Sequence, residues 1–149
     1  MKKQKVLILR GCPGSGKTTI CKKHYKSWTH VSADNFFYDE NGVYKFNPEL
    51  LQKAHDVAFE QAKAALAEGK NVIVDNTNRR IKEFQRYLNL KTMNVDVAVF
   101  KVTSYYGSDK NISQYVIDRF HREYEPCPGE NQMKVDNETG KVVYKMSRR

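Results

Sequence analysis

The stretch GCPGSGKTT comes directly after the apolar run VLIL, and it constrains this chain more than any other feature. Its outer glycines, lysine and first threonine fit G-x-x-x-x-G-K-[ST], the pattern of a phosphate-binding loop between a buried strand and a helix. Backbone N–H groups of such a loop converge on phosphates, and glycines let the backbone approach closely because they have no Cβ. The residues expected to bind a nucleotide are Gly11, Cys12, Pro13, Gly14, Ser15, Gly16, Lys17, Thr18 and Thr19.

Two side chains of this loop predict specific chemistry. Lys17 should reach the β and γ phosphates of a nucleoside triphosphate, and Thr18 should offer its hydroxyl to Mg²⁺. We therefore expect ATP and Mg²⁺ as cofactors, with Lys17 as a catalytic residue.

Strands that alternate with helices continue after the loop and predict a parallel α/β sheet. The first helix should start within GKTT and run to residue 28, and the clearest helix should have Asn47 as its cap and Gly69 just beyond its end. The other predicted helices lie within 79–90 and 112–125, and NFFYDENGVYKF reads as a loop or small hairpin. The predicted strands cover residues 5–10, HVSA up to Asp34, 71–75 and 95–102, followed by a hairpin within 133–146.

The bulk composition favours one domain over residues 1–149, in which residues 126–149 form a basic hairpin or tail. Lys and Arg number 26 against 17 Asp and Glu, a net charge of +9 that favours polyanionic partners such as nucleic acid. No apolar stretch is long enough for a membrane span. The three cysteines form neither a paired framework nor a CxxC motif, which predicts a reducing cytoplasm and no zinc.

Polar residues follow the second and third predicted strands, at the sheet edge where open α/β sheets bind ligands. Asp34 can accept the proton of an attacking hydroxyl in phosphoryl transfer, or it can simply cap a turn. Asp75 follows VIV at a Walker B-like position, where it can hold Mg²⁺ together with Thr18, or it can tighten the turn while Asn78 caps the next helix. Both readings of Asp75 can hold at once.

Arg79 and Arg80 should lie in the first turn of the next helix, where positive charge opposes the helix dipole. A phosphate of an acceptor substrate would compensate for that placement, and two solvated arginines are the alternative. Phe36, Phe37 and Tyr38 can stack on a nucleobase, but such a cluster more often belongs to a core, and core is our expectation.

Four segments together resemble a known family: GCPGSGKTT, VSADNFF, VIVDNTN and IxRFxxEYE are similar to the kinase domain of phage polynucleotide 5′-kinases and related small P-loop kinases, often labelled AAA-family ATPases. The resemblance covers about residues 4–125. It implies an α/β fold with a P-loop kinase-type parallel sheet of four or five strands, flanking helices and a short lid, followed here by the C-terminal hairpin. It also implies transfer of the γ-phosphate of ATP to a 5′-hydroxyl end of DNA or RNA, as in nucleic acid end repair.

By this resemblance Lys17 and Thr18 would hold ATP and Mg²⁺, and Asp34 would be the general base. The family's lid follows the fourth strand and closes over the transferring phosphate with cationic side chains. The acceptor-binding candidates are Asn76, Thr77, Asn78, Arg79 and Arg80, and the lid candidates are Lys110, Arg119 and Arg122. In one departure, Phe37 stands where the phage enzyme has an arginine that engages the acceptor's 3′-phosphate.

Two other functions remain open on the sequence. A kinase of small molecules (a nucleoside, a nucleotide or a metabolite) would use the same loop and base. A nucleotide-dependent binding module would bind ATP without phosphorylating an acceptor. A motor-type AAA ATPase is disfavoured because no downstream arginine-finger motif stands out.

Overall fold

The computed structural model describes residues 3–104, 113–136 and 138–147. The α-helices are α1 (Lys17–His24), α2 (Leu51–Ala67), α3 (Gln85–Leu88) and α4 (Gln114–Glu123). The strands are β1 (Gln4–Arg10), β2 (Thr29–Val31), β3 (Val72–Asp75), β4 (Val95–Val102), β5 (Asn131–Val135) and β6 (Val142–Lys145).

The six strands form one sheet in the order β2-β3-β1-β4-β5-β6. The first five run parallel, and β6 pairs antiparallel with β5. The predicted α/β fold with a parallel sheet is confirmed. The C-terminal hairpin, predicted as a hairpin or a tail, forms the edge of this sheet next to β4.

Both faces of the sheet are covered because alternate residues of β1 point to opposite sides. Val6 and Ile8 belong to the core cluster that includes the alanines of α2, whereas Leu7 and Leu9 pack with Ile20 of α1. Small side chains let α2 approach the sheet closely. The buried residues of α2 are Ala54, Ala58, Ala62 and Ala65, whereas Leu51 at its start is 39% exposed.

Asn47 caps a 3₁₀ turn and not α2 itself as predicted, because the α-helix starts only at Leu51 with Leu50 at its N-cap. Asn47 accepts a hydrogen bond from the Glu49 amide at 3.0 Å, and Pro48 opens a 3₁₀ turn, Pro48–Leu50, that leads into the helix. Farther along, Ala54 packs against Ala33 and Phe37. No helix in the described parts of the chain combines the length and apolarity that crossing a membrane requires.

Three predicted boundaries are wrong. Helix α1 ends at His24 and not at residue 28, because the chain turns and the Trp28 amide bonds the Tyr25 carbonyl at 3.1 Å. Strand β2 ends at Val31 and does not reach Asp34. The helix predicted within 79–90 is a 3₁₀ turn, Ile81–Glu83, followed by the single turn of α3.

Candidate active site

The phosphate-binding loop connects β1 to α1, as its sequence predicts. Gly16 has φ = 96°, a left-handed conformation that favours glycine. Gly14 has φ = 87° and lies in the same left-handed region. A Cβ on Gly11 would lie 2.6 Å from Ser15 Oγ, so a side chain there would require Ser15 to shift.

Lys17 lies buried at the centre of this loop. Its Nζ donates hydrogen bonds to the carbonyls of Gly11 at 2.8 Å and Cys12 at 3.2 Å. Burial lowers the pKa of Lys17, and the carboxylate of Asp75 opposes that shift. The amine is thus held where converging phosphates would surround it.

Thr18 and Asp75 lie side by side at the carboxyl ends of the strands. The Thr18 hydroxyl donates to Asp75 Oδ2 at 2.8 Å, and His30 Nε2 lies 2.9 Å from the same oxygen. Burial acts to raise the pKa of Asp75, but the His30 hydrogen bond and the charge of Lys17 outweigh it and hold that pKa below its usual value. Asp75 is therefore a buried carboxylate surrounded by donors.

Asp34 faces the same cleft from the other side. Ser32 follows β2 and caps the 3₁₀ turn Ala33–Phe37, where its Oγ accepts from the Asp34 amide at 3.2 Å. The Asp34 carboxylate is exposed and accepts from the Tyr44 hydroxyl at 3.1 Å. The predicted small hairpin is present, with an antiparallel bridge between Tyr38 and Tyr44, whereas the 3₁₀ turn before it was not predicted.

A cleft of about 300 Å³ brings together three of the predicted site residues, namely Thr18, Asp34 and Asp75. Its lining also includes residues that the sequence analysis did not single out for the site. The lining residues are Thr18, Lys22, His30, Ser32, Asp34, Asn35, Tyr38 and Asp75. The spacing of Lys22 and His30 in the sequence gave no signal for this position.

The turn after β3 is hydrogen-bonded to both the phosphate-binding loop and the segment that carries Asp34. Asn76 Oδ1 accepts from the Ala33 amide at 2.9 Å, and the Thr77 carbonyl accepts from the Gly11 amide at 3.2 Å. Asn78, at φ = 48°, is buried and donates from Nδ2 to the Leu9 carbonyl at 2.8 Å. The alternative that Asn78 caps the next helix is wrong, and the side chain lies inside the fold, away from the cleft.

The expectation that both arginines lie in the first helical turn is also wrong. The 3₁₀ turn begins at Ile81, and Arg80 precedes it with its amide bonded to Glu83 Oε2 at 3.0 Å. Arg79 forms a 2.9 Å ion pair with Glu123 of α4. Because neither arginine lies in a first helical turn, the helix dipole gives no reason to expect an acceptor phosphate beside them.

The lid candidates fall into two groups. Lys110 lies outside the described residues. Arg119 and Arg122 are exposed on α4, where Arg119 pairs with Glu123 at 3.1 Å. Neither arginine lines the cleft of Thr18, Asp34 and Asp75.

Phe37 is 5% exposed and packs in an aromatic cluster, which confirms the core reading of this residue. Its ring lies 5.0 Å from that of Phe46 and 5.3 Å from that of Phe36. Tyr38, by contrast, is 44% exposed and lines the cleft. One ring of the predicted trio therefore faces the space where an acceptor would lie.

Arg10, the last residue of β1, is fully buried and was missed by sequence reasoning. Its guanidinium lies 4.1 Å from the Tyr124 ring centroid and 4.6 Å from that of Phe84. It also pairs with Glu130 at 2.7 Å. It also donates hydrogen bonds to the backbone carbonyls of Asn78, Arg79 and Glu125.

Comparisons with known proteins agree with this fold. A family model described as an AAA domain matches residues 6–126. A structure of the Pnkp1/Rnl/Hen1 complex is 27% identical over 68% of this chain and 37% of that chain, with a TM-score of 0.56. A structure of the Pnkp1/Rnl/Hen1 RNA repair complex is 19% identical over 100% of this chain and 50% of that chain, with a TM-score of 0.59.

A sugar kinase from a Janibacter species has the same fold, at 17% identity over 90% of this chain and 85% of that chain, with a TM-score of 0.57. The present chain spans only 37% and 50% of the two chains that it matches in the Pnkp1 complexes. The fold is a P-loop kinase fold, which implies a bound nucleotide with a metal ion. The chain belongs to the AAA domain family whose model it matches, a polynucleotide kinase-like family of P-loop proteins.

Proposed function

We propose that this protein transfers the γ-phosphate of ATP to a 5′-hydroxyl end of DNA or RNA. The observation that carries the proposal is the shared cleft, in which Asp34 faces the pair of Thr18 and Asp75. Phosphoryl transfer to an alcohol needs a base, a phosphate-binding loop and a metal site in one place. The likeness to chains of an RNA repair complex supports a nucleic acid as acceptor.

The donor side of the site fits ATP and Mg²⁺. Lys17 lies within the loop that would hold the triphosphate, and the Thr18 hydroxyl and Asp75 carboxylate provide adjacent oxygens of the kind that Mg²⁺ prefers. An ion held by Thr18 and Asp75 would supply positive charge against the negative charge of the transferring phosphate. The fixed backbone amides of the loop would orient the phosphates.

On the acceptor side, Asp34 would take the proton of the attacking hydroxyl. The Tyr44 hydroxyl, bonded to Asp34 Oδ1, would keep the carboxylate turned toward the cleft. Burial and the Asp34 charge raise the pKa of Tyr44 to about 12, so the phenol remains a donor at neutral pH. Asp34 and Tyr44 would thus act as base and positioning residue.

Several groups around the cleft suit a nucleotide acceptor. Lys22 offers a positive charge to a phosphate, and the exposed ring of Tyr38 offers a face for stacking a base. Of the candidate acceptor residues, Thr77 and Arg80 are exposed at the turn after β3. We propose that they contact the acceptor strand. Arg119 and Arg122 would contribute to the lid. The whole chain, residues 1–149, would form a single kinase domain.

A kinase of small hydroxyl compounds is the second candidate. The cleft, at about 300 Å³, is at the lower end of the size range of pockets that enclose small molecules. Such an enzyme would use Lys17, Thr18 and Asp34 in the same roles and would phosphorylate a free nucleoside or metabolite in preference to a strand end.

The deciding experiment is transfer from γ-labelled ATP to 5′-hydroxyl DNA and RNA oligonucleotides, with nucleosides and sugars assayed in parallel. Label on oligonucleotides alone supports the proposal, and label on small acceptors alone supports the second candidate. Asp34→Asn should lose transfer and retain ATP binding, and Glu40→Gln, an exposed neighbour, is the matched control. ATP binding without transfer to any acceptor would indicate a binding module.

A further inference from the structure

A cluster of three potential metal ligands lies directly behind the proposed magnesium position. Cys21 comes from α1, His30 from β2 and Asp75 from the end of β3. The sulfur, a ring nitrogen and a carboxylate oxygen all lie within 4.8 Å of one another. Because each residue is held by a regular element of the sheet or the helix packed on it, their convergence is part of the fold.

The kinds of donor atom distinguish this cluster from a magnesium site. Thiolate, imidazole and carboxylate together are ligands of Zn²⁺, which binds four groups tetrahedrally and often leaves one position to water. Mg²⁺ prefers oxygen donors alone. Donors around a tetrahedral Zn²⁺ lie roughly 3 to 4 Å apart, so small side-chain movements would suffice to close this cluster on an ion.

The cysteine spacing in the sequence predicts no zinc, but these ligands come from three separate elements. We propose that Cys21, His30 and Asp75 form a Zn²⁺ site that competes with the nucleotide's Mg²⁺ for Asp75. As the ion binds, the Cys21 thiol proton passes to solvent, and the His30 ring carries its proton on the nitrogen that does not bind the ion. Water fills the ion's fourth position. No oxidant or reductant takes part.

The burial of the cluster is consistent with this role. Cys21 is 2% exposed, so an ion bound to its sulfur would be shielded from bulk water on that side. His30 lines the open cleft, which provides the route of entry. A zinc ion there would occupy Asp75 Oδ2, the oxygen that now accepts from Thr18 and His30.

Competition with Mg²⁺ rests on the proposed function, but binding of the ion does not, so the first test uses the nucleotide-free protein. Co²⁺, a spectroscopic substitute for Zn²⁺, is titrated into the full chain. The wild type should develop thiolate-to-cobalt charge-transfer absorption, Cys21→Ser should lose it, and Cys127→Ser should keep it. Absence of the band in the wild type, or its survival in Cys21→Ser, overturns the proposal.

Thermal unfolding measures Zn²⁺ binding independently of the cobalt spectrum and shows whether each variant is folded. Zn²⁺ should raise the Tm of the wild type and of Cys127→Ser, and it should leave the Tm of Cys21→Ala and His30→Gln unchanged. His30→Gln serves as the second variant because its side chain is 20% exposed and its replacement leaves the core intact. An equal rise in all four proteins would contradict the site.

The regulatory consequence is read in the transfer assay. Zn²⁺ should inhibit the wild type, excess Mg²⁺ should relieve the inhibition, and Cys21→Ser should need about tenfold more Zn²⁺ for the same effect. Equal inhibition of the wild type and Cys21→Ser by Zn²⁺ would refute competition between the two ions for Asp75. A protein that binds Co²⁺ through Cys21 but transfers no phosphate would refute the proposed function and leave the metal site standing.

Discussion

The hydroxyl of Tyr44 donates a hydrogen bond to Oδ1 of Asp34 over 3.1 Å, across ten residues of a small hairpin. Tyr44→Phe keeps the ring and removes this bond, so the carboxylate loses its orientation. We expect kcat for transfer to fall about tenfold with ATP affinity unchanged. Tyr115→Phe, which alters an exposed ring on α4, is the control. An unaltered kcat in Tyr44→Phe would show that this hydrogen bond does not position Asp34.

Lys17→Ala should abolish transfer because the β and γ phosphates lose the charge that the loop holds against them. We expect kcat to fall by about 100-fold or more, as when a fixed donor to the transition state is removed. The measurement is steady-state transfer from labelled ATP. Lys23→Ala changes an exposed lysine on the same helix and should transfer normally. Comparable transfer activity in Lys17→Ala and Lys23→Ala would show that Lys17 does not take part in catalysis.

Asp75→Asn should raise the Mg²⁺ concentration needed for half-maximal transfer, by about tenfold, because one anionic ligand is lost while the side chain keeps its shape. A Mg²⁺ titration at saturating ATP measures this. Asp96→Asn, on an exposed position of β4 that pairs with Lys3, should leave the titration unchanged. If Asp75→Asn has the wild-type magnesium requirement, Asp75 is a structural group.

Phe37 gives a prediction about substrate choice. Its side chain is buried and has no donor for a phosphate. Oligonucleotides that end in a 3′-phosphate should therefore react with nearly the same kcat/KM as those with a 3′-hydroxyl. A strong preference for the 3′-phosphate would mean that a basic residue elsewhere recognises it.

Arg10→Met should destabilise the fold by about 3 kcal/mol, since it leaves Glu130 without its buried partner and three carbonyls without their donor. Urea unfolding followed by circular dichroism provides the free energy of unfolding. Arg86→Met removes a surface ion pair with Asp56 and should cost at most about 1 kcal/mol. Equal losses in the two variants would contradict the role assigned to Arg10.

The features that could be predicted from the sequence are those encoded by neighbouring residues. The glycine pattern, the apolar run before it and the cap at Asn47 each act over a few positions. The loop, the parallel sheet and the 3₁₀ turn that leads into α2 lie where these signals predict. The sequence also marks Asp34 and Asp75 as candidate site residues, because each comes at or after the end of a short apolar strand, and both line the same cleft.

The features that were missed depend on contacts between distant residues. Arg10 looks like an ordinary polar end of a strand until Tyr124 and Phe84 fold around it. The position of Asp34 depends on Asn76, whose side chain holds the preceding residue from 43 positions away. No periodicity or spacing rule encodes such contacts.

Ala54 has a consequence for how substrate preference can change. Its methyl group packs against Phe37 and against Ala33, the residue directly before Asp34 in the chain. Because interiors are packed to high density, a larger residue at this position would push the turn outward and reshape the cleft from behind. Selection can therefore retune which acceptor reaches the base at a position that no substrate touches.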